Sequence, residues 1–269
     1  MKGINLLIVL MVLFFACNPQ TKTSEDTLIE PDVYENVIPE LKACLEAHGG
    51  LKKWRSFGSL EYDRATAKGG GDHSIIDLRN RKDLVKNDTA YTVGFDGTDA
   101  WITPGKDAMR SAPRFFHNLY FYFFALPFVV ADPGTNQEFI GQKTFNGLTY
   151  NKIKITYGEN VGDSPEDQYI LWVNAQTNQL DFINYSVTYF DKSRAEKYNA
   201  LVYSDWKDID GLKVPTILTS YRWEEDTLGD VRGSNTFSNI LFSERQPDQA
   251  IFQVPEGAYL DALPVKEEE

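Results

Sequence analysis

Residues 115–131 read FFHNLYFYFFALPFVVA. The stretch carries no formal charge and holds eight phenylalanine and tyrosine rings. Burying one such ring removes roughly 150–250 Å² from water, a gain on the order of 4–6 kcal/mol at ~25 cal/mol per Å². A protein whose net stability is about 5–15 kcal/mol cannot leave that surface exposed. Three covers are available: a membrane, an apolar ligand or a β-sheet. The length touches the ~17-residue minimum for a membrane span, but His117, Asn118 and Pro127 argue against one. Pro113 suits the first turn of a helix, and Phe116, Leu119, Tyr120 and Phe123 fall on one face of it. Phe115, Tyr122 and Phe124 extend the apolar surface nearly all round, as in a buried helix. Pro127 ends or kinks it, and Asp132-Pro133-Gly134 stops it.

On both sides of this stretch the hydrophobic period is two. Leu60 and Tyr62 alternate with polar neighbours, and residues 74–78, 84–85, 91–95 and 100–102 continue the series. Beyond it, Ile153, Ile155 and Tyr157 alternate with Lys and Thr, and Ile183 to Tyr189 does likewise. Tyr169-Ile170-Leu171-Trp172-Val173 is a continuous apolar run and reads as a central strand. Residues 201–206, 214–223 and 236–242 complete roughly ten strands. Asp208-Ile209-Asp210-Gly211 reads as a hairpin turn, because the later ligands of a calcium loop are missing. Ahead of the strands, residues 38–50 have the pattern of a helix: Pro39 at its start, Leu41, Cys44, Leu45 and His48 on one face, Gly49 as its cap. Cys44 reads as a small buried thiol. The expected fold is mainly β with α: a curled antiparallel sheet, an incomplete β-barrel, wrapped over an N-terminal helix and a central apolar helix.

Several short motifs carry a family likeness. They are the early helix ending His48-Gly49-Gly50, Phe95-Asp96-Gly97 leading to Trp101, and the apolar helix after Pro113. Asn146-Gly147-Leu148, the strand 169–174 with its turn to Leu180, Asp210-Gly211-Leu212-Lys213-Val214-Pro215, and the closing Ala250-Ile251-Phe252-Gln253-Val254-Pro255 continue the series. Over most of residues 35–260 the chain resembles the LolA/LolB-type lipoprotein-carrier superfamily, and within it a branch of uncharacterised bacterial envelope lipoproteins. The resemblance implies an apolar cavity between sheet and helices. Trp101, Phe116, Leu119, Tyr120, Phe123, Phe124 and Trp172 are expected to line it, with His117 and Asn118 as a polar handle for a headgroup.

The first residues add a location. Met1-Lys2, an apolar run and Leu13-Phe14-Phe15-Ala16-Cys17 resemble a bacterial lipoprotein signal, so residues 1–16 are expected to be removed and Cys17 lipidated. Residues 17–34 then form a polar tether, 35–262 a single domain and 263–269 an acidic tail. The expected setting is the cell envelope, at the outer membrane facing the periplasm, with the membrane met through the anchor. A formal charge of −12 and a pI near 4.8 argue against nucleic acid as a partner. His48, His73 and His117 fit no zinc spacing, and no metal or cofactor is expected. No G-x-S-x-G elbow, Walker loop or H-E-x-x-H helix is present. The leading expectation is a non-enzymatic, anchored binder of a hydrophobic small molecule or lipid. A structural lipoprotein with a filled core, meeting an envelope protein partner, and an envelope hydrolase remain the alternatives.

Overall fold

A computed structural model of the chain describes residues 32–159 and 161–261. The expected signal segment, Cys17, most of the tether and the acidic tail lie outside the described residues. The domain begins with helices α1 (Pro39–Ala47) and α2 (Leu51–Ser56). Five strands follow: β1 (Ser59–Thr66), β2 (Gly71–Asp77), β3 (Asp83–Asn87), β4 (Tyr91–Phe95) and β5 (Ala100–Thr103). After the helical stretch come β6 (Thr135–Phe145), β7 (Leu148–Tyr157), β8 (Tyr169–Asn174), β9 (Leu180–Tyr185) and β10 (Asn199–Ile209). The last three are β11 (Leu212–Glu224), β12 (Thr227–Ser243) and β13 (Tyr259–Asp261).

All thirteen belong to one sheet in the order β13-β5-β4-β3-β2-β1-β12-β11-β10-β9-β8-β7-β6. Each meander is built from hairpins, and β1 against β12 joins the two antiparallel at the middle of the sheet, with Ser59 opposite Ser243. Turns carry the geometry that antiparallel twist requires. Asn146-Gly147 and Asp210-Gly211 both have two successive positive φ values, 48° and 79°, 51° and 85°.

This order explains the apolar stretch. β5 and β6 are successive in sequence yet stand toward opposite margins of the sheet, with only β13 outside β5. The connection between them must cross the sheet, and it does so as α3 (Pro113–Phe116), α4 (Leu119–Phe124) and a 3-10 turn at Phe128–Ala131. The central helix is therefore delivered in pieces. Asn118 leaves helical geometry at φ −104° and ψ 0°, and Leu126, preceding Pro127, cannot easily continue a helix. Phe121, Phe123, Phe124 and every residue from Ala125 to Ala131 except Pro127 belong to the main core with Leu41, Leu45, Trp54, Leu171 and Phe237. Trp54 stacks on Phe128 at 4.7 Å, and Phe124 lies 5.3 Å from Tyr62 and 5.1 Å from Phe237.

Two strands went unread in the sequence. In β6, Phe139 and Ile140 are exposed, and the register shifts beside Gly141 at φ +98°. An edge strand that buries little has no apolar alternation to detect, and its bulge discourages pairing with other chains. The other, β13, is three residues long. Among the described residues no helix is long and apolar enough to cross a membrane.

Two of the quoted motifs meet in space. The His48 Nδ1–H donates to the Lys213 carbonyl at 3.0 Å, while Nε2 accepts the Leu180 amide at 3.1 Å. Gly49, at φ +105°, lies so close to Gly211 that a Cβ would stand 2.2 Å from the Gly211 carbonyl oxygen. Helix α1 is thereby pinned at once to β9 and β11. Nearby Cys44 is fully buried, and burial raises its thiol well above the ordinary range. Burial lowers the His48 imidazole from 6.5 to about 4. A folded-state value below the unfolded one means that this stabilisation is complete above pH 6.5 and is lost as pH falls through about 4. Between pH 7 and pH 4, denaturant titrations should show the wild type losing roughly 3 kcal/mol more than His48→Gln; parallel curves would refute the pin.

Candidate functional site

Where the two halves of the sheet fail to pair, a cleft of about 370 Å³ opens beside the crossing helices. Its apolar wall is Phe115, Leu119, Phe121, Phe123 and Val129, faced by the rings of Tyr122, Tyr157, Tyr169 and Tyr189. Its other wall is charged: Arg81 and Asp83 from the end of the β2–β3 turn, Arg114 from α3, Asp132 ahead of β6, and Asp163 and Asp167 from the β7–β8 connection. At the rim Phe190, two-thirds exposed, packs on Phe115 and Tyr189 at 4.9 Å each.

Two arginines tie the halves of the sheet across this gap. Arg114 is 3% exposed; its Nε donates to the Asp261 carbonyl of β13 at 2.9 Å and its Nη2 to the Thr98 carbonyl at 2.7 Å. Nη1 of the same side chain stands 3.4 Å from Asp163 on the far half. Arg81 makes the second tie, an ion pair with Asp132. Its backbone is left-handed at φ +56°, a conformation costing roughly 1–2 kcal/mol outside glycine. The turn enforces it: the buried Asp77 carboxylate accepts the amides of Arg79 and Asn80, both at 3.0 Å, and the side-chain amides of Gln246 and Gln249. Strain held by so many surrounding contacts is typical of a site that positions a side chain.

Asp132 and Asp167 are raised by desolvation, although Arg81 pulls the first down and the Thr188 amide and hydroxyl, at 2.6 and 2.7 Å, pull down the second. The Tyr122 and Tyr157 hydroxyls bond each other, and desolvation raises both. Asp83 is 2% exposed and its Oδ2 accepts the His117 Nδ1–H at 2.6 Å. The His117 ring in turn stacks on Phe95 at 4.5 Å.

The residues expected from sequence to line a cavity divide. Leu119, Phe123 and Asn118 line the cleft. Phe124 packs inward on Tyr62 and Phe237, and Tyr120 lies under the Arg64 guanidinium at 3.7 Å. Phe116 packs with Tyr91, Val85 and Ile102. Trp101 and Trp172 belong to separate clusters, and side-chain parity is the reason. Tyr169, Leu171 and Val173 of β8 join the main core, so Trp172 points from the other face, among Tyr150, Phe182, Phe145 and Trp223. On β5, Ile102 packs toward Phe116, and Trp101 occupies the opposite face with Leu84 and Phe252, donating its Nε1–H to the Phe252 carbonyl at 3.0 Å. Gly94 makes room for that ring, since a Cβ there would sit 2.3 Å from it. The charged lining was not anticipated. Its one signal is that Arg114 and Asp132 bracket the uncharged stretch 115–131. Among the described residues no three His, Cys, Asp or Glu side chains converge as metal ligands would.

Residues 106–210 match the model of a family of unknown function, DUF6503, a segment that holds the whole crossing and β6 to β10. No curated protein matches the sequence. A DUF1329 family protein from Desulfovibrio piger is similar in structure at a TM-score of 0.52 and 12% identity, covering 80% of this chain and 95% of that one. The two share a fold. A LolA superfamily protein from Nitrosomonas europaea is also among the structural neighbours, with a TM-score of 0.46 and 12% identity over 73% of this chain and 88% of that one.

The Asp83–His117 pair generates a direct test. Removing one partner of a buried hydrogen-bonded pair strands the other at a cost of roughly 1–3 kcal/mol, more where a carboxylate is left, whereas replacing both by apolar groups is often near neutral. His117→Phe should therefore lower stability by about 3 kcal/mol or more in urea unfolding, and Asp83→Leu in the same chain should recover most of it; additive losses would contradict the pairing.

Proposed function

We propose that the protein is a membrane-anchored envelope lipoprotein that binds a hydrophobic ligand in the cleft beside α4 without transforming it. The observation that carries this reading is a 370 Å³ opening walled on one side by five apolar side chains and faced by four tyrosines. That volume falls within the roughly 300–1,000 Å³ of small-molecule sites, and such sites combine apolar walls with a few placed polar groups. Phe190 at the rim gives an apolar ligand a first surface to touch. Anchoring rests on Ala16-Cys17 and the apolar run before them. Residues 17–34 then act as a polar tether holding the domain near the outer membrane on its periplasmic side.

Leu119 is half-buried on the wall, so Leu119→Trp narrows the cleft without emptying the core. Fluorescence of an environment-sensitive naphthylamine dye should report binding to the wild type and a loss of about tenfold in affinity, near 1.4 kcal/mol, in the variant. Equal binding by both would remove the cleft as the site. Anchoring is tested in cells by metabolic labelling with a palmitate analogue: the wild type should be labelled and Cys17→Ala should not, and equal labelling would refute lipidation at Cys17.

A further inference from the structure

The charged wall of the cleft holds two polar atoms with no partner among the described residues: Nη1 of Arg81 and Oδ1 of Asp83, both shielded from solvent. Each belongs to a side chain otherwise tightly held. Asp83 is 2% exposed and its other oxygen is taken by His117. Arg81 uses Nη2 on Asp132, and its guanidinium lies 5.5 Å from the Phe121 ring centre. An unsatisfied buried polar atom destabilises the fold, and more so when the group is charged. Here two stand two residues apart on one wall, at the end of a turn that also holds Arg81 in a left-handed conformation.

The two atoms ask for different things. Nη1 is a donor and needs an acceptor; Oδ1 is an acceptor and needs a donor. A carboxylate head would satisfy Arg81 but set like charge against Asp83. An ammonium head would satisfy Asp83 but stand against Arg81. An ester offers only acceptors. A carboxamide carries an acceptor and a donor on separate atoms of one head and brings no net charge. Resting on the proposed role of the cleft, we infer that its ligand is a long-chain molecule whose polar end is an amide, the carbonyl accepting from Arg81 Nη1 and the N–H donating to Asp83 Oδ1. Its chain lies along Leu119, Phe121 and Phe123. The approach is opened by rotation of the Arg81 side chain, a third of which is exposed.

Four twelve-carbon probes at concentrations below micelle formation test this: dodecanamide, methyl dodecanoate, dodecanoate and dodecylammonium, each displacing the naphthylamine dye. Dodecanamide should bind the wild type at least tenfold more tightly than the other three. N-methyldodecanamide separates two sources of the group: binding equal to dodecanamide points to an acylated amine, and loss of binding to a primary fatty amide, each with the amide at this wall. Asp83→Asn keeps an oxygen for His117 and turns the free acceptor into a donor, so methyl dodecanoate should then match or exceed dodecanamide. Arg81→Met removes both the donor to the carbonyl and the cation that opposes an ammonium, so dodecanamide should weaken at least tenfold and dodecylammonium should then match or exceed it; this also decides the matter if Asp83→Asn does not fold. Head-independent binding by the wild type, or dodecanamide binding unchanged in Arg81→Met, would overturn the inference and leave the cleft as a binding site. Failure of every probe and the dye to bind would overturn both.

Discussion

The structure depends on one topological constraint. β5 and β6 are neighbours in sequence, and the sheet sets them toward opposite margins. The linking chain has to traverse a sheet face whose inward side chains are apolar, so it must be apolar on nearly every side. An ordinary amphipathic helix would leave its polar side against Leu171, Val173 and Phe237; FFHNLYFYFFALPFVVA leaves almost none. The same crossing keeps the sheet open. A strand pair between β6 and β13 would close the barrel, and the space that closure would need is occupied by α3, α4 and their flanking residues. The cleft is the residue of this arrangement, flanked by the crossing on one side and by unpaired strand ends on the other.

Much of this was legible because hydrophobic period reports burial. The strands from β1 to β5 and from β7 to β11 bury one face or both, and each left a period-two or continuous apolar trace, whereas the first half of β12 is exposed and only residues 236–242 were legible. β6 lies on the rim with Phe139 and Ile140 outward, so it left none. The continuous run Tyr169 to Val173 correctly marked a strand covered on both faces, but continuity conceals parity. Nothing in the run itself says whether Trp172 or Leu171 faces the helices, and Trp172 faces away. The same holds for Trp101 beside Ile102. Large aromatic residues are the natural candidates for a cavity wall, yet on a strand the neighbour one position along has equal claim.

The polar half of the cleft was hidden for a different reason. Arg81 with Asp83, Asp132, and Asp163 come from three separate places in an acidic chain rich in carboxylates. Only three-dimensional folding selects those that face each other, and no spacing rule connects them. Arg114 and Asp132 are the exception, since a charge placed at either end of a buried crossing must meet a partner at the margins of the sheet. There each finds its partner: Asp163 for one, Arg81 for the other. His117 likewise reads from sequence as an isolated polar residue among rings. Asp83, 34 residues earlier, supplies its bond.

Because β6 and β13 share no ladder, the girth of the domain is not fixed by backbone hydrogen bonds. A closed barrel admits a thicker guest only by breaking strand pairs. Here the two margins meet through side chains alone: outside the shared core they are bridged by two ion pairs, Arg81 with Asp132 and Arg114 with Asp163. Side-chain fasteners of this kind set a graded grip, tightened or loosened one residue at a time while the sheet itself is left untouched.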